Sequence, residues 1–120
     1  MKKVFLDANF LIDIVRFKVS LDEIKSLVGP NELIMRTSVI KELEKIANSK
    51  KTEGSYGKVA LKLSKKFGVE QSTKANADED LLTAGENVIV ATNDRELRNN
   101  LKRRGVKTIY LRARKKLEIS

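Results

Sequence analysis

Val4-Phe5-Leu6-Asp7 and Val88-Ile89-Val90-Ala91-Thr92-Asn93-Asp94 are the two stretches that decide the fold, because each is a short apolar run that ends on an acid. Runs of this length read as buried strands. After each acid the period changes. Phe10, Leu11, Ile14 and Val15 recur at helical spacing beyond Asp7, and Leu97 and Leu101 do so beyond Asp94. Strand giving way to helix at an acid, twice, is the pattern of an open α/β sheet, whose ligand site lies outside the carboxyl ends of the strands. Two acids at two such ends point to a shared metal.

The rest of the chain repeats the alternation. Leu21 to Val28 reads as a short helix stopped by Gly29-Pro30, and Leu33 to Met35 as a strand. Val39, Ile40, Leu43, Ile46 and Ala47 form one stripe of a third helix, with Thr37 or Ser38 as its cap, and the polar segment Asn48 to Thr52 is a loop. Tyr56, Val59, Ala60, Leu63 and Phe67 follow a helical period, with Gly68 as the C′ residue that ends it. Val69 to Thr73 is a short edge strand, Asp78 to Ala84 a brief helix, Arg95 to Arg104 a helix ended by Gly105, and Lys107 to Leu111 the last strand. Strands alternating with helices imply a mostly parallel sheet with right-handed crossovers.

At 120 residues the chain is read as one domain over residues 1–120, large enough for a core without staples. Cysteine and histidine are both absent. That excludes disulfides, thiolate and imidazole metal sites, and Ser/His or Cys/His catalysis. Any metal must be held by oxygen, so Mg²⁺ or Mn²⁺ is the expected ion. No apolar run approaches the roughly 18 to 20 residues of a membrane span, and Met1-Lys2-Lys3 leads directly into a strand, so a cytoplasmic protein without membrane contact is expected.

The formal charge of +9 is unevenly placed. Arg98, Lys102, Arg103, Arg104, Lys107, Arg112, Arg114, Lys115 and Lys116 occur without an acid among them, a basic C-terminal end suited to a polyanion. Its bland reading is a solvated basic tail.

Each candidate acid also has a structural reading. Asp7 can cap the helix that begins at Ala8, and Asn93 or Asp94 the helix that begins at Arg95. Thr92 is either an ordinary β-former or a hydroxyl that orients a carboxylate. Glu42 and Glu44 flank opposite margins of the same apolar stripe, and periodicity does not choose between them. Asp78, Glu79 and Asp80 crowd a helix start, where the macrodipole favours acids for structural reasons.

Taken in order, Phe5-Leu6-Asp7-Ala8-Asn9, Val39-Ile40-Lys41-Glu42-Leu43, Ala77-Asp78-Glu79-Asp80-Leu81-Leu82 and Ala91-Thr92-Asn93-Asp94-Arg95-Glu96-Leu97 resemble the motifs of the PIN-domain nucleases over nearly the whole chain. The resemblance implies a three-layer α/β/α sandwich with a mostly parallel central sheet. It maps the metal-binding and catalytic acids to Asp7, Glu42, Asp78 and Asp94, with Asn9 and Thr92 as supporting polar groups and Asp80 or Glu79 as alternatives in the third segment. It implies one or two Mg²⁺ or Mn²⁺ ions and endonucleolytic cleavage of single-stranded or structured RNA. Lys102, Arg103, Arg104, Arg112, Arg114, Lys115 and Lys116 would then bind the RNA. A homodimer is a family expectation.

Two branches of the family compete, toxins of toxin–antitoxin pairs with an antitoxin partner, and ribosomal RNA processing enzymes with a preribosomal one. Ala91 to Arg98 looks closer to the second. Outside the family, Phe5 to Asn9 also resembles the first motif of aspartate-nucleophile phosphatases, but Asn9 stands where their second acid is needed. A receiver-type domain would require a lysine after the last strand, where Leu111-Arg112 stands. A catalytically inactive RNA-binding module is the remaining rival.

Overall fold

A computed structural model describes residues 1–120. The order of elements is β1 (Lys2–Leu6), α1 (Ala8–Arg16), α2 (Asp22–Val28), β2 (Asn31–Arg36), α3 (Thr37–Ala47), α4 (Thr52–Ser64), β3 (Gly68–Glu70), α5 (Ala77–Leu81), β4 (Val88–Ala91), α6 (Arg95–Arg103), β5 (Thr108–Arg112) and β6 (Lys116–Ile119). The strands form one sheet in the order β3-β2-β1-β4-β5-β6, parallel except for the β5/β6 pair. The architecture is the α/β/α sandwich expected, with a mostly parallel central sheet. No helix is long and apolar enough to cross a membrane.

β1 is central because Val4, Phe5 and Leu6 are all buried, as a strand covered on both faces requires. Its register against β4 pairs Leu6 with Ala91, so the next residues, Asp7 and Thr92, come side by side at the same sheet end. Phe10, Leu11 and Ile14 of α1 pack into the same core as Val39 and Leu43 of α3 and Leu97 and Leu101 of α6. Helices α1, α3 and α4 lie against one another, α2 lies against β6, and α6 against β5.

Gly105 ends α6 as its position predicts. It has φ +78°, its N–H reaches Lys102 O at 3.0 Å, and Val106 N–H reaches Leu101 O at 3.0 Å, the paired bonds of a Schellman motif. Gly68 does not end a helix. α4 stops at Ser64, a series of i→i+3 bonds tightens residues 62–67, and Gly68 opens β3 without a positive φ. Neither Thr37 nor Ser38 caps α3, since both lie inside its first turn. The Ser38 N–H is instead bound at 2.8 Å by Ser72 Oγ from beyond β3.

The basic C-terminal end is not a tail. Lys116–Ile119 pair antiparallel with β5, Thr108 and Ser120 exchange backbone bonds of 2.9 and 2.8 Å, and Leu117 is buried in the core. A single inward leucine among charged neighbours satisfies a half-covered edge strand, a weak pattern that the basic run obscures.

Candidate active site

Asp7 takes the capping role its position allows. It ends β1 with extended backbone, and its Oδ1 accepts the Ala8 N–H at 2.8 Å, capping α1. Its Oδ2 accepts the Thr92 hydroxyl at 2.7 Å, and Thr92 Oγ1 in turn accepts the Asp94 N–H at 3.1 Å. Thr92 therefore ties two acids together while remaining fully buried. Asp7 is 2% exposed. Burial pushes its carboxyl up to about 6, Glu42 and Asp78 push the same way, and the bonds from Thr92 and Ala8 oppose them.

Glu42 is half-buried on α3, whereas Glu44 is exposed. Its Oε2 is enclosed and has no hydrogen-bond partner, a costly state for a carboxylate oxygen. Its pKa is raised by burial and then by Asp78, with Lys45 opposing. Asp78, exposed on α5, is raised by burial and then by Asp94 and Glu96. Asp78 lies within electrostatic reach of the other three acids, its charge acting on Asp7 and Glu42 and Asp94 acting on it. Asp94, not Asn93, caps α6, accepting the Leu97 N–H at 3.1 Å, and it shares a cavity of about 210 Å³ with Asp78, Glu96 and Asn100.

Asp80 is a different kind of acid. Fully buried, it is gripped by Arg36 through Nε–Oδ2 at 2.9 Å and Nη2–Oδ1 at 3.1 Å. It also accepts the backbone N–H groups of Thr73 and Lys74 at 2.8 and 3.3 Å and the Ser72 hydroxyl at 3.1 Å. Burial alone would raise its pKa, but Arg36 and these donors outweigh it and hold Asp80 near 2. Arg36 also contacts Glu70 at 3.2 Å, and Glu70 contacts Lys3 at 2.7 Å. With its oxygens occupied, Asp80 anchors the 71–76 loop to β2 and leaves Asp78 as the acid of α5 facing the cluster. Glu79 is exposed, its N–H capped by Asn76 at 3.0 Å.

Asn9 is exposed and makes no side-chain hydrogen bond. It lines a groove of about 330 Å³ with Asp13, Arg16 and Tyr56. The basic residues divide. Lys102, Arg103 and Arg104 lie at the end of α6, roughly 13 Å of helix from Asp94, where Arg103 donates to Asn100 Oδ1 at 3.1 Å and Arg104 to the Leu82 carbonyl at 3.3 Å. Arg112, Arg114, Lys115 and Lys116 form the β5/β6 hairpin tip at the carboxylate end, although Arg112 is paired with Glu118 at 2.9 Å.

Sequence reasoning missed Arg36, Ser72 and the Asp13–Asn93 bond. Asn93 Nδ2 donates to Asp13 Oδ2 at 2.8 Å and Asn93 Oδ1 accepts the Leu111 N–H at 2.8 Å, joining α1 and β5 to the loop that carries Thr92 and Asp94. The available signal was Asp13 itself, a charge set between Ile12 and Ile14 in an apolar helix.

As the side chains stand, no three carboxylates converge on one point where an ion could sit. The donor set nevertheless fits a hard cation. It is all oxygen, burial and neighbouring acids raise the pKa values of Asp7, Glu42 and Asp78, and the enclosed Glu42 Oε2 lacks a partner.

Parallel strands ending in acids, under helices that those acids cap, define a PIN-like fold. A family model described as a PIN like domain matches residues 4–114, and the chain belongs to that family. It is 33% identical to Ribonuclease VapC4 of Methanocaldococcus jannaschii over 128 residues, spanning 99% of this chain and 97% of the relative. It is 35% identical to Ribonuclease VapC9 of Archaeoglobus fulgidus over 92 residues, 74% of this chain and 67% of the relative. Among solved structures, the PIN domain endonuclease Utp24 superposes with a TM-score of 0.82 at 22% identity, covering 98% of this chain and 90% of that one. A domain of a functionally unknown protein from Methanocaldococcus jannaschii matches with a TM-score of 0.64 at 25% identity, covering 94% and 93%.

Proposed function

We propose that this chain is a divalent-metal-dependent endoribonuclease, in which Asp7, Glu42, Asp78 and Asp94 hold the ion or ions and Thr92 orients Asp7. The observation that carries this reading is the enclosed, unpartnered Glu42 oxygen beside acids on β1, α5 and the start of α6, with Asp7, Glu42 and Asp78 all raised by burial and by neighbouring acids. The two relatives named as ribonucleases support the substrate class. When bound, Mg²⁺ or Mn²⁺ would supply an activated water and relieve charge on the phosphate and leaving oxygen. The chain's own contribution is orientation. Asp7 is fixed by Ala8 and Thr92, Asp94 by its cap bond to α6, and Asp78 by the anchored loop before it. Burial and then neighbouring acids raise the pKa values of Glu42 and Asp78, and a cation would offset both effects and favour the charged form, as Arg36 does for Asp80.

The biological branch is a finer proposal. Ala91 to Arg98 resembles RNA-processing members, whereas the two VapC names support a toxin with an antitoxin partner. A cytoplasmic location, a homodimer and a preribosomal partner belong to the same level of proposal. Purified protein incubated with mixed cellular RNA should cut it with Mn²⁺ or Mg²⁺ and stop with chelator. Glu42→Gln should abolish cutting and Glu44→Gln should leave it. RNA that is bound but never cut, with either ion, would favour the inactive binding module.

A further inference from the structure

Three of the four non-glycine residues with positive φ lie in the two segments that meet at one aromatic ring, Phe17. Lys18, at φ 55°, occupies the C′ position of α1, with Lys18 N–H on Val15 O at 3.4 Å and Val19 N–H on Ile14 O at 3.1 Å, where glycine is the usual residue. Ala113 and Arg114, at φ 52° and 59°, are the central residues of the β5/β6 turn closed by Lys115 N–H on Arg112 O at 3.1 Å, where Asn-Gly is favoured. Left-handed backbone costs non-glycine residues about 1 to 2 kcal/mol each, and strain of this kind concentrates at working surfaces.

The strained turn sets the Arg114 guanidinium 5.3 Å from the Phe17 ring centroid, while that of Arg16 lies 5.1 Å from the same ring. Both arginines are exposed, and neither has a carboxylate within ion-pair reach. Lys18, Lys115 and Lys116 beside them are likewise exposed and unpaired. The neighbouring Arg112 differs, being neutralised by Glu118, and Arg98 is packed 4.1 Å over Tyr110 with its Nε enclosed. The Phe17 cluster is therefore the part of the basic surface with free charge and an aromatic ring together. It also lies on the right edge. Asp13, one turn before Phe17, is bonded to Asn93, which precedes Asp94 and holds the Leu111 N–H at the base of the turn.

We propose that Phe17, Arg16 and Arg114 form a stacking platform for one unpaired base of an RNA single strand, with Lys18, Lys115 and Lys116 on the flanking phosphates. This rests on the ribonuclease reading and adds to it a base-binding site apart from the acids. Aromatic rings and guanidinium planes stack on bases of any identity, but only where the base is free of a duplex. The platform therefore favours single strands without reading their sequence.

The test is fluorescence anisotropy with a short labelled oligouridylate in chelator, which prevents cleavage, followed by cleavage kinetics with Mn²⁺. Phe17→Leu keeps apolar volume and removes the ring, so affinity should fall roughly 5- to 150-fold, the range of one lost stack, with an unchanged salt slope. Lys115→Gln should weaken binding and lower the slope of log affinity against log salt by roughly 0.7, whereas Arg114→Lys, which keeps the charge and loses the stacking plane, should lower affinity at an unchanged slope. Phe17→Leu should raise KM more than it lowers kcat, with the fold checked by thermal melting. A folded Phe17→Leu protein that binds the oligouridylate as tightly as the parent would overturn the platform and leave the nuclease reading standing. A parent protein that neither binds nor cuts RNA would overturn both.

Discussion

Asp80 and Asp7 are both buried aspartates, 0% and 2% exposed, yet their carboxyls are driven in opposite directions, to about 2 and to about 6. Burial raises both. Asp80 meets a bidentate guanidinium and three further donors, while Asp7 meets two donors and the fields of Glu42 and Asp78. The charge of the neighbours, not the depth, separates a carboxyl held ionised from one pushed toward its neutral form. Asp78 and Asp80 repeat the contrast within one helix, two residues apart.

The comparison breaks most visibly at Asp80. Asp80→Asn leaves the enclosed Arg36 with only Glu70 at 3.2 Å as an ionic partner, and losing one partner of a buried pair costs up to about 3 to 5 kcal/mol. The urea denaturation midpoint should fall accordingly. A loss near the few tenths seen for surface charges would mean that the pair is not what holds the 71–76 loop.

The pH dependence sharpens the same contrast, because the two acids give stability slopes of opposite sign. For Asp7 the folded carboxyl is raised from 3.8 to about 6, so folding takes up a proton between these values and metal-free stability declines as pH rises through the window, then levels off. At about 1.4 kcal/mol per pKa unit, the decline is about 3 kcal/mol at most. For Asp80 the folded carboxyl is lowered from 3.8 to about 2, so its contribution is present above 3.8 and is lost as pH falls through that interval. Denaturation in chelator at a series of pH values should show both slopes, and Asp7→Asn should flatten the upper one. An Asp7→Asn protein with the parent's profile between pH 4 and 6 would show that Asp7 is not the source.

The smallest stability effect is expected at Asp94. Asparagine caps a helix about as well as aspartate, so Asp94→Asn should keep the bond to Leu97 N–H and melt within about 0.5 kcal/mol of the parent. RNA cleavage should nonetheless be lost if Asp94 is an ion ligand. Cleavage at the parent rate would reduce Asp94 to a cap.

Much of the fold was legible because its strongest signals are local. The apolar runs at Val4 and Val88, the helical period after each acid, and Gly105 at a C′ position depend on residues within a few places of one another. The errors fell where a distant partner decides. The cap of α3 comes from Ser72, and β6 forms because β5 offers it an open edge. The same division runs through the candidate site. Asp7 and Asp94 stood out by their strand ends, whereas the choice between Glu42 and Glu44, and between Asp78 and Asp80, came from motif resemblance and not from periodicity.

By itself the sequence determined that strands and helices alternate, that acids follow two buried strands, and that any metal must be held by oxygen, since these follow from side-chain period and from the absence of cysteine and histidine. Only the tertiary structure decided which acids remain unsatisfied. Arg36 reaches Asp80 across 44 residues and Thr92 reaches Asp7 across 85, and a carboxylate's pKa depends on charges and donors within a few ångströms, wherever along the chain they originate.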